Sequence, residues 1–195
     1  MNHSLLISTG AIVGIAVAIV VVLLIILFVG AYNSFVRLKN VVEEAWATID
    51  VYLKKRYDLI PNLVETVKGF AKHESETLQK VIASRNIAMQ ASTGEAKIAA
   101  EKELTNNLKT LFNVVAEPYP QLQANTNFLD LQNQLKQIEN ELASARKYYN
   151  GTVKTLNTKI EMFPSNLVAS MMKLKKYPYF ELDSEEERKN VKVSF

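Results

Sequence analysis

The 195-residue chain contains no cysteine, which excludes disulfide frameworks, thiolate zinc sites, iron–sulfur clusters and cysteine nucleophiles. Histidine is nearly missing as well, with His3 in the N-terminal flank and His73 alone in the rest. Charged side chains are absent from the first 36 residues, because all 23 Lys and Arg and all 20 Asp and Glu lie from Arg37 onward. The net charge of +3 is too small for a strong nucleic-acid binder, where clustered Lys and Arg push a domain well into the basic range. Helix breakers are scarce too. Proline occurs at Pro61, Pro118, Pro120, Pro164 and Pro178, and glycine beyond the charge-free start only at Gly69, Gly94 and Gly151.

What stands in the charge-free start is an apolar run. Ala11 to Val29 has no polar side chain over 19 residues, enough at about 1.5 Å per residue to cross a hydrocarbon core of about 30 Å. Residues 5–32 are therefore read as a transmembrane helix behind a short tail, residues 1–4. A cleaved signal peptide is the rival reading, and Val29-Gly30-Ala31 has the small residues it would need. Against it, Met1 to Leu6 carries no Lys or Arg, and the run exceeds the usual 7–15 apolar residues. Arg37, Lys39, Lys54, Lys55 and Arg56 follow the run and none precedes it. The positive-inside rule then places the N-terminus outside and the soluble part in the cytoplasm. Gly10, Gly14 and Ala18 fall on one stripe, a candidate face for close helix packing; Gly and Ala are also simply common in membrane helices.

From Phe35 onward the apolar spacing is helical. Leu38, Val42, Ala45, Trp46, Ile49, Leu53 and Ile60 predict a first amphipathic helix, with a kink or fresh start at Pro61. A second runs from Pro61 to about Gln90, a third from Glu95 to about Glu117. The fourth carries a heptad seam, Phe128, Leu135, Leu142, Tyr149 and Leu156, with Leu131, Ile138, Ala145, Val153 and Ile160 beside it, the spacing of near-parallel knobs-into-holes packing. A short helix is expected within residues 165–174. The expected fold is all-α: a transmembrane helix, an antiparallel up-and-down four-helix bundle over residues 33–176, and an extended C-terminal tail, residues 177–195.

Particular runs carry a family resemblance. Asn40-Val41-Val42-Glu43-Glu44-Ala45-Trp46, Asp58-Leu59-Ile60-Pro61-Asn62-Leu63-Val64, Val67-Lys68-Gly69-Phe70-Ala71, Leu122 with Ala124-Asn125, Ala145-Arg146 with Tyr148-Tyr149-Asn150, and Phe163-Pro164 together resemble the LemA family of bacterial membrane proteins. The resemblance covers essentially the whole chain. One departure is Leu156-Asn157, where the family more often has Tyr-Asn. The resemblance implies one N-terminal transmembrane helix, an antiparallel bundle, and a bacterial inner-membrane location with the domain in the cytoplasm. It implies no activity.

A search for chemistry finds little. His73-Glu74-Ser75-Glu76-Thr77 has Thr where a zinc helix needs its second His. Residue 70, three before His73, is Phe, so the Glu-x-x-His pair of a dimetal bundle is missing. No Gly-x-Ser-x-Gly elbow or glycine-rich phosphate loop is present. Glu43, Glu44, Glu65, Glu74, Glu139 and Glu141 fall mostly where a solvated face would lie. No catalytic residue, metal ligand or cofactor is therefore assigned. Asn40, Asp50, Asp58, Asn62, Asn125, Arg146 and Asn150 lie in or beside the apolar stripes, where burial demands hydrogen bonds, and form a candidate buried polar network fixing helix register. Tyr177, Tyr179, Phe180, Val191, Val193 and Phe195 are candidate partner-binding residues of the tail, which could equally pack back on the bundle. The expected role is a membrane-anchored, non-enzymatic scaffold or adaptor. Its expected partners are the bilayer, further copies of itself, and membrane or cytoplasmic proteins, a membrane protease among them. The alternative is a hydrolase or metal-binding enzyme using a carboxylate cluster on the bundle.

Overall fold

The computed structural model describes residues 9–71, 73–92 and 94–181. Among these the regular structure is all helical: α1 Thr9–Lys68, α2 Ser75–Gln90, α3 Glu95–Ala116, α4 Pro120–Gln123, α5 Thr126–Glu161 and α6 Ser165–Met171. The ends expected at residues 1–4, the final residues Val191, Val193 and Phe195, and the rest of the chain after Glu181 lie outside the described residues.

Helix α1 is one unbroken element of 60 residues. Its first part, from Gly10 through Val29, is exposed along its length. By length and composition it can cross a membrane. Its second part buries Phe35, Val42, Ala45, Ile49, Leu53, Ile60, Leu63, Val64 and Val67 in a core shared with the other helices. The helix makes no fresh start at Pro61 but runs through it. Proline lacks the N–H that would bond to the carbonyl four residues earlier, here that of Tyr57. Arg85 of α2 supplies the missing donor from outside, its Nε reaching the Tyr57 carbonyl at 2.8 Å. The helix ends instead at Lys68, before Gly69, so the expected second helix is divided between the end of α1 and α2.

α2 and α3 form an antiparallel hairpin turned at Gly94, whose φ of 91° is a conformation that costs glycine little. α3 ends at Ala116, followed by the single turn α4. Asn125 caps α5, its side chain accepting the Phe128 N–H at 3.0 Å; such a cap contributes about 1 kcal/mol. α5 runs antiparallel to α1. Its heptad seam is buried at Phe128, Leu135, Leu142, Tyr149 and Leu156. α1, α2, α3 and α5 are the four long helices of the bundle.

After α6 the chain extends along α5. Asn157 and Asn150 each hold one tail residue by both backbone groups. Asn157 donates to the Tyr177 carbonyl and accepts its N–H, both at 2.9 Å; Asn150 does the same for Phe180 at 3.1 and 2.8 Å. The fit is metric. Seven helical residues rise about 10.5 Å, and three extended residues span about 10 Å.

Candidate functional site

The densest polar feature of the bundle joins α1, α3 and α5. Arg56 and Tyr57 project from α1 and meet Glu101 of α3: the Arg56 guanidinium donates to one carboxylate oxygen and the Tyr57 hydroxyl to the other. Arg56 and Glu101 are almost wholly buried. Arg56 Nη1 also donates to Thr105 Oγ1 at 3.1 Å and to Glu139 Oε2 at 3.0 Å. Glu139 Oε1 accepts from Arg146 Nη1 at 3.0 Å, and the Arg146 guanidinium lies 5.0 Å from the centre of the Phe180 ring. The polar chain thus runs from Glu101 in α3, through α1 and α5, to the docked tail.

Its electrostatics balance, two guanidiniums against two carboxylates. Burial pushes the Glu139 carboxyl up, but Arg56 and Arg146 outweigh that and hold it below the usual carboxylate range. Burial pushes the Tyr57 phenol far up, and its bond to Glu101 adds to this. Arg146 is lowered from its ordinary value by burial, against the pull of Glu139. A carboxylate gripped by cations is a weak base, so the arrangement suits fixing the helices in register better than moving protons. Nε of Arg56, and Nε and Nη2 of Arg146, are buried without a hydrogen-bond partner.

Two grooves flank the network. One, of about 450 Å³, opens between α3 and α5 and is lined by Arg56, Thr105, Phe112, Leu135, Lys136 and Glu139. The other, of about 710 Å³, lies beside the tail against Lys39, Val42, Trp46, Tyr149, Leu174 and Tyr177. Trp46 packs edge-on to Tyr149 with ring centres 5.2 Å apart, and 5.8 Å from Phe180. The Tyr149 hydroxyl donates to the Pro178 carbonyl at 3.0 Å, and burial together with Tyr177 pushes its phenol up to about 12.

The structure separates the polar residues that the sequence grouped together. Arg146 joins the buried network, and Asn150 holds the tail. Asn125 is a helix cap. Asn40, Asp58 and Asn62 are exposed, Asp58 pairing with Lys54 at 3.0 Å on the helix surface. Asp50 is exposed as well, although partial burial of its carboxyl raises it against the pull of Lys97 and Trp46. Glu139, expected on a solvated face, is half-exposed and pairs there with the two arginines. Tyr177 and Phe180 dock on α5 while Tyr179 points outward. Gly10, Gly14 and Ala18 lie on the exposed part of α1, where a Cβ on Gly14 would meet nothing within 4 Å. His73 is exposed in the α1–α2 connection. Among the described residues no three acidic or imidazole groups converge as metal ligands would.

Arg56, Lys97 and Glu101 were missed, and a signal for them existed. Ile49, Leu53, Arg56 and Ile60 continue one stripe. Lys97, Glu101, Leu104, Leu108, Leu111 and Val115 continue another at alternating steps of four and three. A charged residue in phase with a core stripe is buried and must be paired. Lys97 meets that demand by donating to the Ala88 carbonyl at 2.7 Å near the end of α2.

The model of the LemA family matches residues 45–195 of the chain. Protein LemA of Metamycoplasma hominis is 26% identical over 167 residues, covering 86% of this chain and 76% of that protein. Magnetosome protein MamQ 2 of Paramagnetospirillum magneticum is 23% identical over 196 residues, covering 85% of this chain and 72% of that protein.

Proposed function

The chain belongs to the LemA family, and from that premise we propose that it is a membrane-anchored, non-enzymatic scaffold or adaptor. In this reading residues 11–29 span a bacterial inner membrane with the N-terminus outside. The bundle stands in the cytoplasm and acts through contacts with other proteins or further copies of itself. The observation that carries the reading is the continuity of α1. The same helix that offers an apolar span supplies the central core stripe from Phe35 to Val67, so the bundle is coupled rigidly to the span. A flexible tether would let the domain tumble; a continuous helix holds the bundle at a set tilt and distance from the bilayer.

Chemistry supports the same direction. The buried Glu101 and the half-exposed Glu139 are committed to arginines, and His73 stands alone. Light scattering on the full chain in detergent tests self-association. A mass that grows with protein concentration supports it, and a monomer at every concentration removes self-association from the proposal.

A further inference from the structure

The end of the bundle nearest the apolar span has an unusual surface. α5 runs back toward that span: Glu139 meets Arg56, and further along Lys159 donates to Ser34. Extending this antiparallel register brings the turn at Met162 and Phe163 level with Gly30 and Ala31, just past the apolar run that ends at Val29. α6 packs here through Val168 and Ala169, which are buried. Its opposite face carries Leu167 and Met171, four residues apart, and Phe163 continues the line one turn back. Phe163 is 79% exposed, Met171 71%, Leu167 58% and Met162 56%.

Cations surround this patch. Arg37, Lys39, Lys159, Lys173, Lys175 and Lys176 lie at the same end, against Glu43, which pairs with Lys39, and Glu161, which pairs with Lys176. The backbone fixes where Lys173 sits. α6 closes with the Leu174 N–H on the Ala169 carbonyl and the Lys173 N–H on the Ser170 carbonyl, both at 3.0 Å, the Schellman arrangement. Its left-handed position, usually glycine, is here Lys173 with φ 53°. An exposed apolar line rimmed by Lys and Arg is the composition of an interfacial membrane contact, and each such cation is drawn to an anionic surface.

We propose that Met162, Phe163, Leu167 and Met171 form a foot that inserts into the membrane interface beside α1, while Arg37, Lys159, Lys173 and Lys175 rest on anionic lipid headgroups. The occupant is the bilayer because the patch lies at the level where the apolar span ends and carries charge complementary to anionic lipid. The inference rests on the reading that α1 spans the membrane. A single helix leaves the bundle free to rotate about its axis; a second contact fixes that rotation and shows one chosen face to partners.

The missing cysteines make the test direct. Nitroxide labels are placed singly on Val21→Cys, Leu167→Cys, Met171→Cys and Gln121→Cys of the full chain, in phosphatidylcholine vesicles with and without phosphatidylglycerol. Labels at 21, 167 and 171 are expected to be open to oxygen and shielded several-fold from a water-soluble nickel complex, and the label at 121 the reverse. Removing phosphatidylglycerol, or introducing Lys173→Gln with Lys175→Gln, should reduce the shielding at 167 and 171 and leave 21 unchanged. Labels at 167 and 171 as open to nickel as 121, with 21 shielded, would overturn the foot and spare the anchor. Exposure at 21 would overturn the anchor itself. Shielding of 167 and 171 from both oxygen and nickel would mean protein packing, and would replace the lipid surface with a second copy of the chain.

Discussion

Arg56 of α1 and Glu101 of α3 form an ion pair from which water is excluded, the arginine side chain 2% exposed and the carboxylate 0%. Two charges taken out of water are held by each other and by Tyr57, Thr105 and Glu139. Removing one partner strands the other, which costs about 3–5 kcal/mol, whereas replacing both with apolar groups of similar volume is often neutral. Arg56→Met and Glu101→Leu should therefore each lower the thermal midpoint sharply, and the double variant should recover most of the loss. Additive losses in a double-mutant cycle would show that the two side chains are not coupled and would contradict this reading.

The acid side of the stability curve should carry the signature of Glu139. Its carboxyl titrates lower in the folded protein than its ordinary 4.5 because Arg56 and Arg146 outweigh burial. The folded state thus binds that proton less readily than the unfolded chain. The stabilisation is present above the ordinary glutamate pKa and is lost as pH falls through the lowered folded value. Glu139→Gln should lower stability at neutral pH and flatten the acid limb in urea titrations; an unchanged limb would place the acid sensitivity elsewhere.

Much of the fold was legible because spacing encodes it. The heptad seam of α5 from Phe128 to Leu156 needs only counting, and each of its residues is buried. That the helix runs through Pro61 without a fresh start was not legible, because its cost depends on a partner distant in sequence: the Arg85 donor to the Tyr57 carbonyl appears only when α2 folds back. The polar network was misplaced for a related reason. Asn40 and Asn62 flank the stripe, whereas Arg56 and Glu101 sit in it, so phase and not residue type marks the buried charges. Side-chain amides that grip an extended tail, as Asn150 and Asn157 do, have no periodic signature.

Tail docking should depend on those two amides. Each makes two hydrogen bonds with a net contribution of about 1 kcal/mol apiece. Asn150→Leu and Asn157→Leu should free the segment from Tyr177 to Phe180 while leaving the helices folded, seen as faster tryptic cleavage after Lys175 and Lys176 and altered emission from Trp46, the one tryptophan. The Tyr149 phenol, pushed up to about 12, should keep its bond to Pro178 through the ordinary tyrosine range, so Trp46 emission in the parent should change only in stronger alkali. Cleavage rates equal to the parent's would remove the amides from any docking role.

Lys173 offers a trade between stability and membrane contact. A non-glycine residue in the left-handed region costs about 1 kcal/mol or more. Lys173→Gly should raise stability by about that amount and at the same time weaken the hold of the bundle's end on anionic vesicles. Destabilisation would show that the lysine side chain supports the α6 turn itself.

The most direct test of a role carried by surface at a membrane is crosslinking of the full chain in native membranes, followed by mass spectrometry. The account predicts crosslinks from exposed bundle lysines such as Lys102, Lys109 and Lys147 to other copies or to a reproducible set of membrane-associated proteins. A chain recovered uncrosslinked, with only contacts inside one copy, would contradict it.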